Sequence, residues 1–152
     1  MSRSTNVFVL LISIAVAGSA QEAFGTWKVN PARSSFGANP HATEITLRIE
    51  RHARGEVATL DRILPNGLAV TTSIILSMDG QVREFRGEFC AGTQSSQRLD
   101  DRTVEVRFQC QEGRSVRVRR RTSPESRDLI LEISDQVPRT REIQWRLVLD
   151  KQ

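Results

Sequence analysis

The chain has 152 residues, 38% hydrophobic and 5% aromatic, with 22 Lys or Arg against 18 Asp or Glu for a formal charge of +4. This length suits one domain with one core, and no apolar run reaches the roughly 17–25 residues a membrane-spanning helix needs, which argues against membrane insertion. With 2 His and 2 Cys in the whole chain, no recognisable metal-ligand spacing is present, so the expectation is no metal and no cofactor.

The first residues read as a secretory leader: a basic Arg3, an uncharged run over Val7–Ala17 and small residues at Gly18-Ser19-Ala20 before Gln21. No Cys follows that run to take a lipid. The expected mature product is therefore one domain over 21–152, exported to the periplasm or the extracellular space. Removing the leader takes away one base, leaving 21 − 18 = +3. Only Lys28 and Lys151 among the bases are lysine, a bias that reads more simply as genome composition than as design for phosphate.

In chain order, Thr43–Arg51 sets Ile45, Leu47 and Ile49 against polar neighbours, the alternation of a strand with one wet face. Leu68–Met78 places Leu68, Val70, Thr72, Ile74, Leu76 and Met78 on one side. Thr103–Cys110 does the same with Val104, Val106, Phe108 and Cys110, Asp128–Ser134 with Leu129, Leu131 and Ile133, and Glu142–Leu149 with Ile143, Trp145, Leu147 and Leu149. Weaker strands are expected over Thr26–Asn30, Val57–Leu64, Val82–Glu88, Gln94–Leu99 and Ser115–Arg121. No window keeps a 3.6-residue period, so helix should be scarce.

Turn residues punctuate these runs at Pro65-Asn66-Gly67, Asp79-Gly80, Asp100-Asp101, Glu112-Gly113 and Ser123-Pro124-Glu125. Short links join antiparallel neighbours, and nine or ten such strands with one apolar face must close on themselves or stack. The expected fold is all-β, an antiparallel up-and-down barrel of about 8–10 strands, with a β-sandwich as the alternative. Asn30–Ala42 holds two prolines and no alternation, and is expected to loop across one end.

Cys90 and Cys110 are the only cysteines, and in an exported chain a pair is more often bonded than free. With strands over 82–88, 94–99 and 103–110, both thiols reach one end but stand on either side of an intervening strand, about 10 Å apart. A bond is feasible if Cys90 lies in a loop folded over that strand; free thiols or a linked dimer are the alternatives.

Arg114–Arg121 (RSVRVRRR) is the densest basic segment. As a strand it turns Arg117, Arg119 and Arg121 outward, where acids such as Glu105 or Glu132 can pair with them across the sheet. Nucleic-acid binding calls for aromatic stacking beside the charge, and no aromatic lies between Phe108 and Trp145; no nucleic-acid partner is expected. Arg120 falls in the inward phase with Val116 and Val118. A guanidinium inside a barrel must meet a carboxylate, water or an acidic ligand; the plainer placement is near the rim or stacked on Trp27 or Trp145. No nucleophile elbow, H-E-x-x-H or C-x-x-C motif is present, and His41 and His52 read as surface residues. No catalytic residue is assigned, and an enzyme is not expected.

Gly25-Thr26-Trp27 resembles the first-strand Gly-x-Trp of the lipocalins and their calycin relatives, a likeness that implies a barrel with Trp27 plugging its closed end. "TWKVNPARSSF", Asp79-Gly80, "RLDDRTVEV" and Arg120-Arg121 together resemble a group of small secreted bacterial domains described as lipocalin-like. "VNPARSSF" alone resembles the first strand of the polyisoprenoid-binding YceI-like family, which has a His where this chain has Arg33. The lipocalin resemblance implies a small hydrophobic or lipid-like ligand held among Val70, Ile74, Leu76, Val104, Val106, Phe108, Leu131 and Leu147, with Arg120 facing an acid. The alternative is a structural or interaction protein of the cell envelope whose barrel those same residues fill. Oligomeric state is not legible in the pattern.

Overall fold

The computed structural model describes residues 23–37 and 41–152; the expected leader and its expected cleavage point lie outside the described residues. Ten strands follow in order: β1 (Gly25–Val29), β2 (Glu44–His52), β3 (Gly55–Ile63), β4 (Ala69–Leu76), β5 (Arg83–Gly87), β6 (Cys90–Arg98), β7 (Thr103–Cys110), β8 (Ser115–Thr122), β9 (Asp128–Gln136) and β10 (Ile143–Lys151). All ladders are antiparallel and join sequence neighbours, except that β1 also pairs with β10, giving the spatial order β4-β3-β2-β1-β10-β9-β8-β7-β6-β5. This is the up-and-down barrel, not the sandwich. Closure follows from the alternation: each strand has one apolar face, and curling the sheet buries all of those faces together.

β4 and β5 are the two edges, and no ladder joins them. The seam is stitched instead. At one end Asp79 bridges to Gln97, the Gly80 amide donates to Ser96 O at 2.9 Å, and Gln94 Nε2 donates to Ile75 O at 3.1 Å. At the other, Arg62 reaches Glu88 at 2.8 Å. The barrel is thus nearly closed.

The chain's alternation sends its connections to two ends. The turns after β2, β6 and β8 and the β4–β5 link gather where β1 begins, the Trp27 end. The turns after β3, β5, β7 and β9 gather at the Trp145 end, where β10 begins. Asn30–Ala42 is not wholly a loop: Pro31–Arg33 form a 3-10 turn and Ser35 bridges to Arg146 of β10. Leu68, placed in a strand by its phase, lies in the β3–β4 turn at 56% exposure. Asn66 and Gly67 bend the chain there, Asn66 Oδ1 accepting from the Leu68 amide at 3.0 Å, so the ladder starts one residue later.

The cysteine geometry also needs correction. Cys90 is not in a loop beyond β5 but is the first residue of β6, next to β7 in the sheet. With no strand between them, Cys90 and Cys110 lie at a Cα separation of 5.2 Å and form a disulfide.

Candidate functional site

The core is uneven along the barrel axis. Around the Trp27 end, Trp27, Ile49, Leu129 and Leu149 are buried to 1% exposure or less. The Trp27 indole donates to Ala23 O at 2.8 Å, and the Lys151 ammonium lies 5.4 Å from its ring centroid. This satisfies the one polar atom of the side chain and covers its outer face.

β3 turns Glu56, Ala58, Leu60 and Arg62 inward, in register with Leu76, Ile74, Thr72 and Val70 of β4. β8 turns Val116, Val118, Arg120 and Thr122 inward, in register with Val104 and Val106 of β7 on one side and Leu131 and Ile133 of β9 on the other. β3 and β8 are five places apart in the ten-strand order, so they form opposite walls. Arg120 and Glu56 meet across the lumen: Nη2 donates to Oε2 at 2.9 Å and Nη1 donates to Oε1, with the two side chains 8% and 5% exposed. Neither the rim nor a Trp ring holds Arg120. A two-pronged pair of this kind satisfies the guanidinium and the carboxylate together, which is what permits both to be buried.

Glu56 owes its position to Gly55. That residue has φ +139, and a Cβ there would lie 2.1 Å from Leu76 O, so only glycine lets β3 begin tight against the end of β4.

Toward the Trp145 end the walls change character. Leu60, Val70, Thr72 and Ile74 on β3 and β4, and Val118, Ile133, Ile143 and Trp145 on β8 to β10, occupy inward register positions but are only half-buried. Leu60, Ile74, Val118 and Ile133 pack against the buried core while keeping part of their surface accessible. One wall is an exception: Phe108 is packed beneath Phe85 and Phe89, with ring centroids 5.1 and 5.0 Å away. Among the described residues, Arg62 Nε and Trp145 Nε1 are buried donors with no protein acceptor. Arg62 uses Nη2 on Glu88 at 2.8 Å and on Thr72 Oγ1 at 3.4 Å.

Of the eight apolar residues expected to point inward, Leu76, Val104, Val106, Phe108, Leu131 and Leu147 belong to the buried core, and Ile74 packs against it. Val70 shares their phase but lies outside that cluster, at the level of Arg62. Glu56 is the residue that sequence reasoning missed, because its strand was expected to begin at Val57. The signal for it is the phase shared with Ala58 and Leu60, obscured by Glu56 and Arg62 at either end of the same face.

Outside the barrel, Glu105 accepts from Arg119 at 2.7 Å and from Arg107 at 2.6 Å and is itself 2% exposed, covered by the arginines it binds. Burial pushes its carboxyl up, but hydrogen bonds from Arg119 and Arg107 outweigh that and hold it below the ordinary value. Arg121 lies 4.0 Å from Glu132. The basic strand is therefore largely paired across the sheet. His41 stacks on Phe36 near the start of β2, and His52 accepts from the Arg54 amide at the far end of that strand, so the two histidines sit at opposite ends of the barrel. Among the described residues, no group of three or more His, Cys, Asp or Glu converges to hold a metal, and no helix is long and apolar enough to cross a membrane.

Among the described residues the architecture is a ten-stranded antiparallel up-and-down β-barrel, with Trp27 buried toward one end and the Glu56–Arg120 ion pair across its interior. Solved structures share the fold, three of them as follows. A Schistosoma mansoni fatty acid binding protein, solved in complex with arachidonic acid, superposes with a TM-score of 0.55 at 8% identity over 89% of this chain and 99% of its own. A secretory abundant heat soluble protein of Ramazzottius varieornatus gives 0.57 at 7% identity, over 85% and 94%. Secretory abundant heat soluble protein 4 of the same organism gives 0.57 at 10%, over 89% and 96%. No family model matches the sequence, and a search of curated proteins finds no relative. The resemblances to small bacterial domains and to the YceI-like family thus find no support, and the likeness to the solved structures is one of fold.

Proposed function

We propose that this chain is an exported, non-enzymatic carrier whose barrel takes up a small hydrophobic, lipid-like molecule. The observation that carries the reading is the half-buried inward wall between the Glu56–Arg120 pair and the Trp145 end, apolar at Leu60, Val70, Ile74, Val118 and Ile133. Apolar surface left facing an interior is surface a ligand can remove from water at about 25 cal/mol per Å². The Schistosoma protein of similar fold was solved with arachidonic acid, which supports a barrel of this size as a lipid container. The Cys90–Cys110 disulfide supports an oxidising compartment, periplasmic or extracellular, for one domain spanning 21–152.

Native mass spectrometry of the purified mature protein tests this reading. A co-purified adduct of lipid size, or stoichiometric uptake of a fluorescent lipid analogue, is the expected result. A clean apo mass with no uptake would instead leave a structural or interaction protein of the envelope.

A further inference from the structure

We propose that the interior selects an uncharged ligand carrying a neutral acceptor oxygen, such as an ester or an alcohol, and that the Glu56–Arg120 pair is what rejects an ionised head group. This rests on the carrier reading and specifies its ligand class. Each arginine inside the barrel already has a carboxylate of its own. Arg120 spends Nη1 and Nη2 on the two oxygens of Glu56, and Arg62 binds Glu88.

An entering carboxylate would gain from Arg120 only what Glu56 supplies already, and it would leave Glu56 ionised in a wall where it is 4% exposed. An uncompensated buried charge is strongly unfavourable, so the exchange runs against the charged ligand. An ammonium meets the mirror problem, since pairing with Glu56 would strip Arg120. An uncharged chain disturbs neither group. The unmet demand is for acceptors, because among the described residues Arg62 Nε and Trp145 Nε1 are buried donors without a protein partner. An ester carbonyl or hydroxyl oxygen meets that demand without bringing charge.

The test is a fluorescence titration of the mature protein at pH 8 with a polyene fatty acid and its methyl ester. The wild type is expected to bind the ester at least tenfold more tightly than the acid. Glu56→Gln releases Arg120 and should raise the acid's affinity relative to the ester's by tenfold or more. The double variant Glu56→Gln with Arg120→Met should show no such gain. If Glu56→Gln does not fold unaided, added acid should restore folding by mass action and added ester should not. Acid binding at or above ester affinity in the wild type, or a Glu56→Gln effect equal for both ligands, would overturn the inference while leaving the carrier reading in place. Binding of neither ligand would remove the carrier reading and this inference with it.

Discussion

Trp27, Ile49, Leu129 and Leu149 at one end of the barrel keep almost no accessible surface, whereas Leu60, Val70, Ile74, Val118 and Trp145 toward the other point inward and are still half-buried. Both halves come from strands with the same alternation, so the period of the sequence does not distinguish them. Side-chain size and closure do. The Trp27 end has a bicyclic ring and a backbone carbonyl to satisfy it; Leu60, Ile74, Val118 and Ile133 are medium aliphatic residues that pack against the core from its margin and keep part of their surface accessible. The lesson is that a barrel strand specifies which face is inside, while the residues opposite decide whether the inside is filled.

The largest effects should come from breaking the Glu56–Arg120 pair across the interior. Glu56→Ala leaves Arg120 buried and unpaired and is expected to lose about 3–5 kcal/mol by denaturant unfolding. Replacing both partners, Glu56→Leu with Arg120→Met, should lose much less; an equal loss would mean the pair holds the fold rather than merely tolerating burial. Trp27→Ala should lose about 3–5 kcal/mol, whereas Trp145→Ala, on a half-buried wall, should lose less than half as much. Matching losses would erase the difference between the ends. Cys90→Ser with Cys110→Ser removes the link between β6 and β7 and should lower stability by about 3 kcal/mol, seen as an earlier denaturant midpoint without loss of the strand signature in circular dichroism.

The smallest effect is electrostatic and lies on the outer wall. Glu105 and Asp128 both have carboxyls held below their ordinary values, Asp128 by a hydrogen bond from Arg33. A depressed folded pKa contributes stability above the unfolded value, roughly pH 4, and that contribution is lost as pH falls through the lower folded value. Acid unfolding should therefore steepen below about pH 4. Glu105→Gln should flatten that slope and lose about 1 kcal/mol at neutral pH, modest because Arg107 and Arg119 are open to water.

Strand placement was legible almost throughout, because Ile45-Leu47-Ile49, Val104-Val106-Phe108 and Ile143-Trp145-Leu147 alternate cleanly between turn residues. The start of β6 was not, and the reason is physical. Its inward positions are Cys90, Gly92, Gln94 and Ser96, small or polar groups with no apolar period, so the pattern puts Cys90 in a loop and an extra strand between the two thiols. Arg120 shows a different limit. Its phase placed it inward, but a phase cannot name a partner 64 residues away on the opposite wall. Glu56 was hidden by its own strand, whose inner face runs Glu56, Ala58, Leu60, Arg62 and so carries a charge at each end.

Two adjacent residues allow the proposed ligand chamber to be tested directly. Ile74 faces the lumen and Ile75 faces outward at 39% exposure. Titration of an uncharged fluorescent lipid ester into the folded wild type, Ile74→Trp and Ile75→Trp should give saturable one-to-one uptake by the wild type and Ile75→Trp, and at least a tenfold loss in Ile74→Trp, whose added ring fills the chamber. Equal uptake by all three proteins, or none by any, would contradict a ligand chamber inside this barrel.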